Sequence, residues 1–325
     1  MNLNDTIEKI LNSIIEDKNF FEHKHILFVG ENTTGKSRTI AKIVTELFYK
    51  KKPIYYMCSW NRKIVNVRNE AIKTFKDIDY ERVIKARLDS INYNKDIFHD
   101  ELGTELLMNE LYLNTDKYSE LFDGFLSIKV SKTTIKFEKE LYGIWNEEVL
   151  EINEGSFEQL SDAQVSMMRI LMEVNFAFEK GCKYIFIDEF DINLDHKNSS
   201  DFLEWLKAKY TDIVFIVSAQ SLYTILNLRD FDVVKIIKNF KSEIDNLCVF
   251  FDSNDLDNVD IIDKKLFASN YKISEIDERL SSNLKCILSN VPINKKDINI
   301  IEQSQKLTTR QKVVLNFIKQ RARQS

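Results

Sequence analysis

Apolar positions along the chain follow two periods. Ile7, Ile10, Leu11, Ile14 and Ile15 recur at helical spacing, with Asn4 or Asp5 placed to cap that helix. His25-Ile26-Leu27-Phe28-Val29 is then a compact apolar run of strand length, and Pro53 opens a second, Ile54 to Cys58. A helix is predicted between them, running through about Tyr49. Residues 62–120 read as mostly helical and charged. From 125 to 152 the pattern changes to alternation. Phe125 to Val130 and Thr133 to Phe137 alternate apolar with polar, as strands with one wet face do, and Glu148 to Ile152 reads as another. Beyond this segment, helices at about 162–180 and 198–209 alternate with buried strands at 183–188 and 213–218. Two more strand-like runs follow at 233–237 and 247–251, and polar helical sequence continues to the C-terminus.

Strands alternating with helices predict an α/β fold, a mostly parallel sheet with helices on both faces. The pattern divides the chain into a core from 1–61 and 150–255, an insertion at 62–149 combining helices with an antiparallel β segment, and a helical C-terminal region at 256–325. The insertion is too short, and lacks the sustained heptads, for a long coiled coil.

Composition narrows the class. The 325 residues are 44% hydrophobic and carry a formal charge of -5, enough for a sizeable core and without a global basic field. Cys58, Cys182, Cys248 and Cys286 are scattered, which fits reduced thiols and neither a zinc pattern nor a disulfide framework. No apolar run approaches the roughly 20 residues of a membrane span, and the N-terminus does not read as a signal peptide, so the expectation is a cytoplasmic protein without membrane contact. Glycine is scarce, at 7 residues, and two of these lie in one motif.

That motif is Gly30-Glu31-Asn32-Thr33-Thr34-Gly35-Lys36-Ser37, the Walker A pattern, with a strand before it and a helix after it. Backbone N–H groups of such a loop converge on phosphate oxygens, and the following helix adds the positive end of its dipole. Lys36 is expected to reach the β- and γ-phosphates, Ser37 to ligate Mg²⁺, and Arg38 to complete the nucleotide-binding segment. The strand Lys183 to Ile187 ends in Asp188-Glu189, the Walker B arrangement. Asp188 is expected to hold Mg²⁺ and Glu189 to act as general base toward water. The implied cofactors are ATP and Mg²⁺.

Between these motifs lies Leu160-Ser161-Asp162-Ala163-Gln164, about 25 residues before the acidic pair, with a helix between. Here the chain resembles the ABC-type ATPases, whose signature reads Leu-Ser-Gly-Gly-Gln or Leu-Ser-Asp-Gly-Glu. The motif order extends over about 200 residues. Asp191 to Asp195 resembles the family's D-loop, with Asp195 as its aspartate, and Gln220 stands where the family places a switch histidine. Within that family it resembles the soluble RecF, Rad50 and SMC-like branch, and most of all the compact ATPases of bacterial anti-phage systems.

The resemblance implies two subunits sandwiching two ATP molecules. Ser161 and the helix it caps would reach the γ-phosphate held by the partner's Lys36. It further implies a homodimer or higher oligomer that senses or regulates a separate effector, a nuclease or toxin, in anti-phage defence. A RecF- or Rad50-like repair ATPase binding duplex DNA and an ATP-binding scaffold with little hydrolysis are the alternatives.

Three departures bear on turnover. Ala163 replaces a signature glycine, Gln220 cannot carry a positive charge, and no glutamine occurs between Ser37 and Gln159, leaving Asn61 as a short substitute for the family's Q-loop residue. Together they suggest slow or partner-dependent hydrolysis. His23, His25, His99 and His196 show no ligand spacing and read as surface or loop residues. The tail Lys306 to Arg323 is basic and amphipathic, which leaves nucleic acid open as a further partner.

Overall fold

The computed structural model describes residues 1–31, 34–57, 80–89, 101–139, 143–153, 159–194, 196–238, 246–256, 258, 262, 265–266, 275–288, 295–302 and 309–322. Contacts divide the chain into two compact units, Met1–Phe267 and Ala268–Ser325.

The first unit is built on a six-stranded sheet. In chain order its strands are β1 (His25–Val29), β2 (Ile54–Met57), β5 (Tyr184–Ile187), β6 (Val214–Ser218), β7 (Phe231–Ile237) and β8 (Leu247–Asp252). They lie in the order β2-β5-β6-β1-β7-β8. The pairs β2–β5, β5–β6, β6–β1 and β1–β7 are parallel, and β8 closes the edge antiparallel to β7. Strands β1, β2, β5 and β6 are buried along their whole length, which is why they read as unbroken apolar runs rather than as alternation.

Helices α1 (Leu3–Ile15), α2 (Lys36–Tyr49), α6 (Asp162–Glu179), α7 (His196–Lys209) and α8 (Leu222–Asn227) accompany these strands. Between β2 and α6 the chain forms α3 (Tyr80–Leu88), α4 (Glu101–Leu113) and α5 (Thr115–Leu126), then the two-stranded ribbon β3 (Val130–Lys139) and β4 (Gly143–Ile152). Val83, Leu107, Tyr118, Val130 and Ile152 belong to the same hydrophobic core as the sheet, so this segment is packed into the first unit.

The sheet, its flanking helices and the antiparallel ribbon agree with the predicted class, and three local expectations are corrected. Helix α1 is capped by Asn2, whose Oδ1 accepts the Asp5 N–H at 2.8 Å, and not by Asn4 or Asp5, which lie within the helix. Residues 125–130 are not one strand. Helix α5 continues to Leu126, where Phe125 packs on Phe202 and Trp205, and Ser127 ends it in the left-handed region at φ 54. The alternation seen in the sequence is the helix's last buried positions running into Ile128 and Val130, which are buried as the chain enters β3. His25 is neither at the surface nor in a loop. It is 8% exposed within β1, and its Nδ1 accepts the Phe215 N–H at 3.0 Å. His23 lies beside β8, with Nε2 2.8 Å from Asp252 Oδ1.

The second unit holds α9 (Glu275–Leu288), α10 (Lys295–Glu302) and α11 (Thr309–Ala322). Its own small core comprises Leu280, Ile298, Ile301, Leu315 and Ile318. Among the described residues, no helix is long and apolar enough to cross a membrane.

Candidate nucleotide site

The site begins where β1 ends. Gly30 turns the chain at φ 148, and a Cβ there would lie 2.8 Å from the Ile236 carbonyl oxygen of β7. No side chain fits between the loop and that strand. Gly35 caps α2 in the left-handed region at φ 92, which glycine adopts without steric cost. Thr34 closes the turn by donating its hydroxyl to the Glu31 carbonyl at 2.9 Å. From outside the loop, the Asn246 side-chain amide donates to the Thr34 carbonyl at 3.2 Å. Asn32 and Thr33 lie outside the described residues.

Lys36 opens α2 and is 6% exposed. Its Nζ donates to the carbonyls of Gly30 at 2.8 Å and Glu31 at 3.2 Å. Burial lowers its pKa, while the nearby carboxylates of Glu189, Asp188 and Asp191 act in the opposite direction. Those three acids therefore share an electrostatic environment with the loop lysine. Ser37 is half-buried behind Lys36, and Arg38 is exposed.

The acidic residues are held by a bonded seam between the ends of β5 and β6. Asp188 is 1% exposed. The Ser218 hydroxyl, at the last position of β6, donates to Asp188 Oδ1 at 2.6 Å and accepts the Glu189 N–H at 2.7 Å. Glu189 sits at φ 48, an uncommon conformation for a residue with a side chain and one that concentrates at functional sites. Two further bonds fix it: Phe190 N–H donates to the Ser218 carbonyl at 2.8 Å, and Ala219 N–H donates to the Phe28 carbonyl at 3.1 Å. The ends of β1, β5 and β6 are thereby stitched together beneath the loop.

Gln220 follows directly. Its Nε2 donates to Glu189 Oε1 at 2.8 Å. Asp191 Oδ2 accepts the backbone N–H of Gln220 at 2.9 Å and of Ser221 at 2.6 Å, fixing the segment that carries Gln220. The two predicted catalytic side chains, 31 positions apart in sequence, are thus in direct contact.

The signature segment is built differently. Ser161 caps the 18-residue α6 through a capping box, accepting the Gln164 N–H at 3.2 Å while its own N–H donates to Gln164 Oε1 at 3.0 Å. Ser161 and Asp162 are exposed, whereas Leu160 and Ala163 pack partly on the core. Ser161's hydrogen bonds close within this box rather than on the loop. Asp195 and Asn61 lie outside the described residues.

A Mg²⁺ ion would find a hard, oxygen-only donor set here, the Ser37 hydroxyl and the buried Asp188 carboxylate, with phosphate oxygens to complete it. Three residues of this site escaped sequence reasoning. Ser218 looked like the end of a strand, Asp191 like part of a loop, and Asn246 stands 212 positions from the carbonyl it bonds. Only tertiary contact distinguishes them from other small polar residues.

No protein-family model matches the chain, and no curated protein matches it. Among solved structures, the chain is similar to an SMC head bound to the C-winged helix domain of ScpA, with a TM-score of 0.38 and 12% identity over 70% of this chain and 90% of that one. It is also similar to a nucleotide-free ATP-binding cassette from an ABC transporter, with a TM-score of 0.36 and 18% identity over 65% and 77%. A third likeness is to the ADP conformation of another such cassette, at 0.39 and 16% over 75% and 85%.

The class rests on the chain's own topology. A largely parallel sheet, a glycine-flanked loop leading from β1 into α2, and a neighbouring strand ending in acids define an α/β phosphate-loop NTPase fold.

Proposed function

We propose that the chain is an ATPase whose site is completed by a second copy. The observation that carries this reading is the convergence of Lys36, Asp188, Glu189 and Gln220 at the ends of β1, β5 and β6. The loop N–H groups and the α2 N-terminus hold the phosphates. Lys36 exchanges the Gly30 and Glu31 carbonyls for phosphate oxygens. Ser37 and Asp188 would hold Mg²⁺, which would supply charge neutralisation to the phosphates. Glu189 takes a proton from water as the water oxygen bonds to the γ-phosphorus and the bond to ADP breaks.

Ser161 belongs to the same proposal. It ends an 18-residue helix with exposed polar atoms at the positive end of the dipole, suited to a γ-phosphate presented by another subunit. The homodimer or higher oligomer, and its regulation of a separate effector in anti-phage defence, extend this reading through the resemblance of the motifs alone. With ATP and Mg²⁺, the Glu189→Gln variant is expected to double in mass or more. Ser161→Arg added to it returns the mass to that of one chain while ATP still binds. Equal mass with and without ATP contradicts the composite site.

A second reading, an ATP-binding scaffold with little turnover, is favoured by the Gln220 amide resting on Glu189 Oε1. There the amide acts as a brake, and Gln220→Ala raises phosphate release. In the ATPase reading it orients the base, and the same substitution lowers release.

A further inference from the structure

A loop that binds phosphate works only if its amide N–H groups face the anion, and one amide of this loop is aimed from outside it. In a planar trans peptide, the carbonyl of one residue and the N–H of the next point in opposite directions. The peptide between Thr34 and Gly35 is trans. Fixing the Thr34 carbonyl on one side therefore presents the Gly35 N–H on the other. That carbonyl accepts the Asn246 side-chain amide at 3.2 Å in a buried bond. Gly35 N–H makes no hydrogen bond among the described residues, and Gly35 leads directly into α2. Its N–H is thus left open to an anion at the positive end of that helix.

Glycine makes this peptide the easiest in the loop to turn over. Gly35 sits at φ 92 and ψ 22, and without a Cβ it can also take negative φ. A concerted change of ψ at Thr34 and φ at Gly35 would flip the peptide and aim a carbonyl, not an N–H, at the phosphate. The Gly30 and Glu31 carbonyls are held by Lys36, a grip that the lysine gives up when it turns to phosphate. The Asn246 bond lies outside the loop and does not depend on Lys36. Asn246 is 6% exposed, its backbone carbonyl accepts the Leu3 N–H at 2.8 Å, and it enters β8 directly. A carbonyl oxygen can only accept, so the group facing Thr34 is the amide NH₂.

We propose that Asn246 is a positioning residue of the phosphate loop, holding the Thr34–Gly35 peptide in the orientation that directs the Gly35 N–H to phosphate. The proposal rests on the phosphate-loop reading of the site and deepens it. Affinity for nucleoside diphosphates and triphosphates is set in part by a side chain outside the motif, on the β8 edge of the sheet.

The sequence offers a direct probe. Of the seven glycines, Gly35 alone follows a threonine. With isotopic labels on threonine carbonyl carbons and glycine nitrogens, a triple-resonance spectrum of the full-length chain contains one peak, that of the Thr34–Gly35 peptide. ADP with Mg²⁺ is expected to move its proton downfield in wild type, as a new bond to a charged oxygen does. Asn246→Ala keeps the backbone bond to Leu3. It is expected to weaken ADP binding at least about tenfold and to shrink the proton shift at saturating ADP. A merely structural loss would lower the thermal midpoint and leave the saturated shift unchanged. Asn246→Asp, equal in shape but without the donor, is expected to behave as Asn246→Ala does and serves if that variant does not fold. The proposal is overturned if wild type binds ADP without moving the peak, or if either variant binds and responds as wild type does, and in both cases the loop reading stands. Wild type that does not bind ADP overturns the loop reading, and this proposal with it.

Discussion

Ser218 has a large role for a small side chain. One hydroxyl donates to the carboxylate expected to hold the metal and accepts from the backbone of the residue expected to activate water. Removing it leaves Asp188 buried with one fewer donor and Glu189 without the bond that helps hold its left-handed backbone. Ser218→Ala is therefore expected to lower the rate of phosphate release about 10–100-fold, the usual cost of losing a partner that orients a metal ligand. ATP affinity should change much less, because the phosphate loop is untouched. An equal loss in binding and rate would mean that Ser218 supports the fold rather than the chemistry.

His25 makes a pH-dependent contribution at the same scale. Burial lowers its pKa from 6.5 to about 3, so in the folded chain it stays neutral and accepts the Phe215 N–H. The unfolded chain takes up that proton below pH 6.5. The contribution of His25 to stability is thus complete above pH 6.5 and is lost progressively as pH falls toward 3. Between pH 6.5 and pH 5 the loss is about 2 kcal/mol. Urea unfolding across that range measures it, and His25→Asn should flatten the slope.

Among the elements, α6 joins the two halves of the account. Its N-cap is the signature serine, and its middle is buried from Ser166 to Val174. Inside that stretch Glu173 accepts from Arg169 Nε at 3.0 Å and from Arg87 of α3 at 2.7 Å, and Arg87 also donates to the Tyr56 carbonyl of β2 at 2.6 Å. All three side chains are 3% exposed. A buried carboxylate shared by two guanidinium groups ties α6 to α3 and to the strand beside β5. Glu173→Ala strips both arginines of that carboxylate and is expected to cost about 3–5 kcal/mol, seen as a lower urea midpoint. A change below about 1 kcal/mol would mean that water or neighbouring groups already compensate the pair.

Element scale is also where sequence reading met its limit. The loop between β1 and α2 was legible because few backbones can cradle phosphate, and its glycine spacing is correspondingly restrictive. The acidic strand end was legible because a wholly apolar run stopping at two carboxylates is an uncommon pattern. Capping of α6 by Ser161 was legible because a capping box is local in sequence. Residues 125–130 misled because a helix end followed by a buried turn can imitate alternation for six positions. His25 misled because ligand spacing says nothing about burial, and the apolar run containing it was the better guide. Ser218, Asp191 and Asn246 act across tertiary contacts, where a single sequence carries no signal.

For the whole molecule, the sheet order places β6 between β1 and β5, so the loop, the acids and Gln220 meet at one end of three neighbouring strands. In the proposed account, one chain's residues there would hold Mg²⁺ and the phosphates, and the exposed N-cap of α6 would face a second chain. The C-terminal unit has its own core.

The central claim is that Glu189 activates water at a site anchored by Lys36. It is tested most directly by phosphate release from ATP and Mg²⁺, measured alongside ATP binding, for wild type, Lys36→Ala and Glu189→Gln. The account predicts release by wild type, loss of both binding and release in Lys36→Ala, and retained binding with release lowered at least about 100-fold in Glu189→Gln. Wild type and Glu189→Gln releasing phosphate at the same rate would contradict it.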